Sequence, residues 1–272
     1  MNLDGCSAVI TGASAGIGCE LARQLAAQAK LLVLVARRRD RLEQLRSELL
    51  RVNGLLQVEI REVDLSNLEQ TVQLADWLAN KPIDFLINNA GLGDHGLFAT
   101  ADPSRVNQQI QVNALALAAL TRAVLPRMIE QKRGAILNVS SSAGFLPLPD
   151  LAVYAATKAY VTSFSEAIRA ETRALGITVT ALCPGPVHTE FARVADREPQ
   201  TRKVRTSPAH VSVEEVARAG LSAIERDQAL VVPGTAMKIL MTIVRALPLA
   251  VLRAAWRFSR TSKAASTKCQ PN

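Results

Sequence analysis

The chain has 272 residues, 49% hydrophobic and 4% aromatic, enough apolar mass for one large α/β core and too much for a disordered or fibrous chain. Its net charge of +8 is uneven: residues 228–272 hold seven basic side chains and no acid, and the rest holds 25 bases against 24 acids. A near-neutral body poor in aromatics argues against nucleic-acid binding, which calls for a basic stripe with stacking rings.

In chain order, Ser7–Thr11 is a short apolar strand that runs into the glycine-rich turn Thr11-Gly12-Ala13-Ser14-Ala15-Gly16-Ile17-Gly18. Ile17–Ala29 has helical spacing, and Leu31–Ala36 is the unbroken apolar run of a parallel strand buried on both faces. A helix over Arg38–Val52, a strand over Val58–Val63, a helix over Leu68–Leu78 and a strand over Ile83–Asn88 follow. One long helix is predicted from about Ser104 to Gln131, with Asp102-Pro103-Ser104 as its start. Ala135–Ser140 is a strand, Val153–Leu175 a helix and Ile177–Cys183 a strand. Ser212 opens a helix over Val213–Arg226, with Glu214 and Glu215 in its first turn, before a last strand at Leu230–Val232.

This alternation predicts a doubly wound parallel sheet, a Rossmann-like single domain over residues 1–235, with residues 236–272 as a basic amphipathic helix and tail. Ligands bind such sheets at the carboxyl ends of the strands. Each polar motif follows a strand: the glycine turn, Arg37, Asp64, Asn88 to Gly91, Ser140 to Ser142, and Pro184 to Thr189. The turn reads as a dinucleotide cradle, because glycines let the backbone approach a pyrophosphate at a helix N-terminus. Tyr154 and Lys158, four apart, share one helix face, where an ammonium can lower the pKa of a phenol. Arg37, just past the second strand, is suited to a 2′-phosphate.

Thr11, Gly12, Gly16 and Gly18 match TGxxxGxG; Asn88-Asn89-Ala90-Gly91 match NNAG; Tyr154 and Lys158 match YxxxK; Pro184, Gly185 and Thr189 match PGxxxT. In this order the chain resembles the short-chain dehydrogenase/reductase family over about residues 3–232. The resemblance implies catalysis by Asn113, Ser141, Tyr154 and Lys158. Ser141 is chosen for its place thirteen residues before Tyr154, with Ser142 as its rival. It implies a nicotinamide dinucleotide held by Gly12, Ser14, Gly16, Ile17, Gly18, Asp64, Asn89, Ala90, Gly91, Tyr154, Lys158, Pro184, Gly185, Val187 and Thr189. Asp64 would meet the adenine or, with Ser66, cap a helix. Asn88 and Asn89 would brace the sheet. Relatives that prefer NAD place an acid at the Ala36 position; its absence, together with Arg37, points to NADP(H). Ala15 departs from the NADP pattern, which often has a base there.

The expected activity interconverts a carbonyl and a secondary alcohol of apolar character: a 3-oxoacyl chain, a steroid-like ketone or a long-chain carbonyl. Leu92, Phe98, Phe145, Leu146, Leu148 and Phe191 are the candidate pocket lining, and Thr189 to Ser212, with Arg193, Arg197, Arg202, Lys203 and Arg205, the candidate lid. An NAD-dependent alcohol dehydrogenase and an NADPH-binding sensor at a membrane are the alternatives. No metal is expected: His95, His188 and His210 stand apart, and the four cysteines have no metal spacing and read as reduced thiols of a cytoplasmic protein. Asp4-Gly5 leads straight into the first strand, so no leader segment is expected. Homodimers or homotetramers through the helices of Asn113 and Tyr154 follow from the resemblance. In residues 237–260 the bases share one sector and the opposite side is apolar, so this segment either packs over the substrate pocket or lies on an anionic membrane.

Overall fold

The computed structural model describes residues 2–197 and 211–248, together with 250, 251 and 253. Seven parallel strands form one sheet in the order β3-β2-β1-β4-β5-β6-β7. They are β1 (Ser7–Thr11), β2 (Leu31–Ala36), β3 (Gln57–Glu62), β4 (Phe85–Asn88), β5 (Gly134–Val139), β6 (Ile177–Leu182) and β7 (Leu230–Val231). The direction of winding reverses between β1 and β4, whose register pairs Val9 with Leu86. A crevice opens at the carboxyl ends of the strands there.

Successive side chains of a strand point to opposite faces, so the sheet feeds two cores. Ala8, Ile10, Leu32, Leu34, Ile87 and Leu137 join one, with α1 (Gly16–Leu25), α2 (Arg39–Val52) and α8 (Val213–Glu225). Val9, Val33, Leu86, Ile136 and Val179 join the other, against α3 (Leu68–Ala79) and α5 (Leu117–Glu130). This second face also holds α6 (Ala152–Thr172). β5 and β6 are buried throughout, as strands covered on both faces are, even at Asn138, Thr178 and Thr180, which interrupt their apolar runs. β3 is polar and alternating, QVEIRE, as suits a strand paired on one side only.

The single helix expected over 104–131 is three segments. Asp102 caps α4 (Pro103–Ile110) by accepting from Ser104 N, the chain widens into a π-helical stretch at Gln111–Ala116, and α5 follows. Within this stretch the Asn113 side chain bonds Leu92, in the loop after β4. Among the described residues this helical stretch is long and apolar enough to cross a bilayer, but Leu120, Val124 and Met128 are core residues. Asn67, and neither Asp64 nor Ser66, caps α3 by accepting from Gln70 N at 3.1 Å.

α7 (Glu190–Ala195) follows β6, and the lid residues 198–210 lie outside the described residues. In the tail, α9 (Thr235–Ala246) ends before Leu247, which is extended because a residue preceding proline is pushed from helical geometry. Of the expected helix beyond Pro248 only 250, 251 and 253 are described, so the rest of that expectation lies outside the described residues.

Candidate active site

The glycine turn is built against β4. Gly12 has φ +67°, and a Cβ on Gly18 would lie 2.3 Å from Asn89 Nδ2, so no larger residue fits there. Asn89 Nδ2 donates to the Thr11 carbonyl at 2.8 Å and to the Gly12 carbonyl at 3.2 Å. Thr11 Oγ1 accepts from Asn89 N and Ala90 N, both at 3.0 Å. α1 has no side-chain cap and no acid in its first turn, so its N–H groups face the crevice uncompensated. Ile17 and Val187 pack partly buried against the core that includes β1 and α1, and the Thr189 methyl is 3.2 Å from where a Gly16 Cβ would be. The donor set fits a dinucleotide pyrophosphate. Asn88 faces the sheet interior, donating to Thr121 Oγ1 at 3.1 Å and Asn138 Oδ1 at 2.9 Å.

α6 carries Tyr154 and Lys158 one turn apart. Lys158 is buried, and its Nζ donates to the Val139 carbonyl at 2.7 Å and lies 5.8 Å from the centre of the Tyr154 ring. Burial drives its pKa down to about 8, against a smaller opposing effect of Cys183. The Tyr154 phenol is pushed above its ordinary value by burial, and a hydrogen bond with Ser141 pulls the other way. The depression expected from Lys158 is therefore not present in this arrangement. The ammonium lies on the side of the ring, and the Val139 carbonyl holds it.

Of the three serines, Ser141 meets the phenol and accepts from Ala143 N at 3.1 Å. Ser140 turns inward to donate to the Lys158 carbonyl at 2.8 Å, and Ser142 N donates to the buried Pro184 at 2.8 Å. The Asn113 side chain accepts from Leu92 N at 2.8 Å and donates to the Leu92 carbonyl at 2.9 Å and to Thr157 Oγ1 at 3.0 Å. It therefore fixes the loop after β4 beside Gly91, where a Cβ would lie 3.4 Å from Lys158 Nζ.

The three arginines after β2 take different places. Arg37 is exposed and lines a cleft of about 760 Å³ with Asp64, Arg61 and Trp77. Arg38 reaches the glycine turn instead, donating from Nη2 to Ser14 Oγ at 3.1 Å. Arg41, three residues on, joins it at Glu190. Asp64 Oδ1 accepts from Ser66 N and Ser66 Oγ at 2.9 and 2.7 Å, closing a local turn at the cleft.

α7 roofs the substrate side. The Phe191 ring lies 5.4 Å from that of Tyr154. Beyond it Arg197 pairs with the buried Asp94, whose pKa is lowered chiefly by that hydrogen bond, and Arg105 lies 3.9 Å from the same carboxylate. His95 Nδ1 is 3.5 Å from Asp196. α9 closes another side: Met237 packs on Gly185 and the Arg245 guanidinium lies 5.4 Å from the Phe145 ring centre.

A curated relative, the very-long-chain 3-oxoacyl-CoA reductase of Bos taurus, is 35% identical over 193 residues, 69% of this chain and 61% of that protein. The chain thus spans about three fifths of the length of such relatives. An uncharacterized short-chain type dehydrogenase/reductase of Sinorhizobium fredii is 36% identical over 224 residues, 80% of this chain and 85% of that protein. The solved short-chain dehydrogenase from Sphingobium yanoikuyae in complex with NADPH superposes with a TM-score of 0.78 at 29% identity, covering 98% of this chain and 97% of that one. The sequence model of the short chain dehydrogenases matches residues 7–200, and the chain belongs to that family of Rossmann-fold oxidoreductases.

Proposed function

We propose that the protein is an NADP(H)-dependent oxidoreductase that interconverts a carbonyl and a secondary alcohol on an apolar substrate. The observation that carries this reading is the convergence of Ser141, Tyr154 and Lys158 beneath Phe191, one crevice away from the Ser14–Arg38 pair. The turn from Gly12 to Gly18 would hold the pyrophosphate, Lys158 the nicotinamide ribose and Arg38 with Ser14 the 2′-phosphate. When bound, the nicotinamide supplies or accepts the hydride. Ser141 donates a hydrogen bond to the substrate oxygen, and Tyr154 gives that oxygen a proton in reduction or removes it in oxidation. Lys158, buried beside the Tyr154 ring, would with Asn113 support the return of a proton to the phenol. Asn113 holds the loop that borders this path.

Phe191, Phe145 and Leu92 make the substrate side apolar, which favours a long-chain or ring ketone. A 3-oxoacyl thioester is the first candidate, given the relative above. The test is NADPH oxidation followed by absorbance against ketones, aldehydes and 3-oxoacyl thioesters, with NADH in parallel. Turnover of an apolar carbonyl with NADPH, abolished in Tyr154→Phe without loss of cofactor binding, is the expected result. Turnover only with NADH, or tight NADPH binding with no turnover anywhere, overturns it; the second result restores the sensor reading.

We further propose contact of α9 with an anionic membrane. Met237 and Met241 face the protein, whereas Ile239, Leu240 and Ile243 are exposed beside Lys238 and Arg245. One helix thus offers separate apolar sides to the substrate region and to the outside.

A further inference from the structure

Glu190 opens α7 directly after Thr189, the residue that caps it. Its carboxylate bridges two arginines of the cofactor side: Oε2 accepts from Arg38 Nη1 and Oε1 from Arg41 Nη1, each at 2.9 Å. The opposite edge of the Arg38 guanidinium rests on Ser14, with Nε at 3.3 Å and Nη2 at 3.1 Å from Oγ. Carboxylate and phosphate monoester accept from the same guanidinium fork, so an oxyanion of the chain already fills the place suited to an oxyanion of a ligand. Glu190 stays ionised across any working pH, because these two hydrogen bonds hold its pKa near about 2.

We propose that Glu190 is an internal surrogate for the adenosine 2′-phosphate, displaced from Arg38 and Arg41 when NADP(H) binds, so that the cofactor's phosphate unlatches α7. The inference rests on the reading that Arg38 and Ser14 take that phosphate. It has two consequences. NADP(H) selectivity becomes a difference, since the phosphate must displace a carboxylate whereas NADH leaves it in place. The roof also becomes cofactor-gated. α7 carries Phe191 against Tyr154 and is tied at its far end by Asp94 and Arg197, so releasing Glu190 lets it swing about that tie and open the way to the phenol.

The experiment uses the full chain, with fluorescence titration of NADPH and NADH and hydrogen–deuterium exchange of peptides spanning 187–197. Glu190→Gln is expected to tighten NADPH about three- to tenfold while NADH changes by less than about twofold, the scale of a partly exposed ion-pair network. In the wild type, NADPH but not NADH speeds exchange in α7; in Glu190→Gln exchange is already fast and NADPH adds nothing. Arg38→Ala weakens NADPH and spares NADH. If Arg38→Ala leaves the ratio of the two affinities unchanged, the phosphate binds elsewhere and the parent reading fails. If Arg38→Ala lowers that ratio but Glu190→Gln does not raise it, Glu190 is only a staple and the displacement is overturned. Should the glutamine variant fold poorly, Glu190→Asp, too short to reach both arginines, serves with the same expected rise. Equal α7 exchange with NADPH and NADH in the wild type overturns the gating without any variant.

Discussion

Lys158 is 4% exposed and keeps an ammonium in an interior that disfavours it. Its pKa, lowered by burial from 10.5 to about 8, sets the sign of a pH effect. Below about pH 8 folded and unfolded chains both hold the proton, and the fold bears the full cost of the buried charge. Between about 8 and 10.5 the unfolded chain binds more protons, so this residue's contribution to stability rises with pH across that window. Lys158→Met, which keeps volume and removes the charge, is therefore expected to unfold at higher urea at pH 7, by roughly 1–3 kcal/mol. That gain should shrink toward zero by pH 10, and a gain independent of pH would refute the account. Ser141 acts on the phenol in the opposite sense to burial, so Ser141→Ala should shift to higher pH the limb of the pH–rate profile for oxidation that rises as Tyr154 loses its proton, as well as slow turnover. A slower rate with an unmoved limb would leave Ser141 with substrate contact alone.

At the scale of elements, the π-helical stretch shows how a distant loop can reshape a helix. Asn113 trades regular backbone geometry for three side-chain bonds, two of them to Leu92, 21 residues away. Asn113→Ala leaves the Leu92 amide and carbonyl without these partners, and a loss of roughly 1–3 kcal/mol by thermal unfolding is expected. Tyr154→Phe should cost far less stability, so comparing the two separates scaffold from chemistry. Gly18→Ala would set a Cβ against Asn89 Nδ2 and the Gly12 carbonyl, at 2.3 and 2.6 Å, and should abolish dinucleotide binding in a fluorescence titration. The strands, the glycine turn and the Tyr154–Lys158 face were legible because each depends on residues adjacent in the chain. The π-helical stretch, the Arg38–Ser14 contact and the Glu190 bridge were not, because their partners lie 21, 24 and 152 residues away. Asn67 as the α3 cap was missed for a local reason: Asp64, Ser66 and Asn67 are all good cap residues, and only the phase of the turn selects one.

At the scale of the molecule, α9 gives the membrane reading its test. Ile239→Ser with Ile243→Ser removes exposed apolar side chains without touching Met237 or Met241. Co-sedimentation with vesicles containing phosphatidylserine should fall about tenfold or more in this double variant, and in the wild type it should weaken in high salt. Unchanged sedimentation would leave α9 as a wall of the substrate region only.

The sheet ends in two very different strands. β3 shows Glu59, Arg61 and Glu62 along its rim, with the Arg61 guanidinium 3.9 Å from the centre of the Trp77 ring, while β7 is only two residues long. A rim so charged on one side, and so brief on the other, gives an incoming strand almost nothing to pair with. Among the described strands, neither rim thus offers a long apolar edge on which the sheet could extend from one molecule into the next.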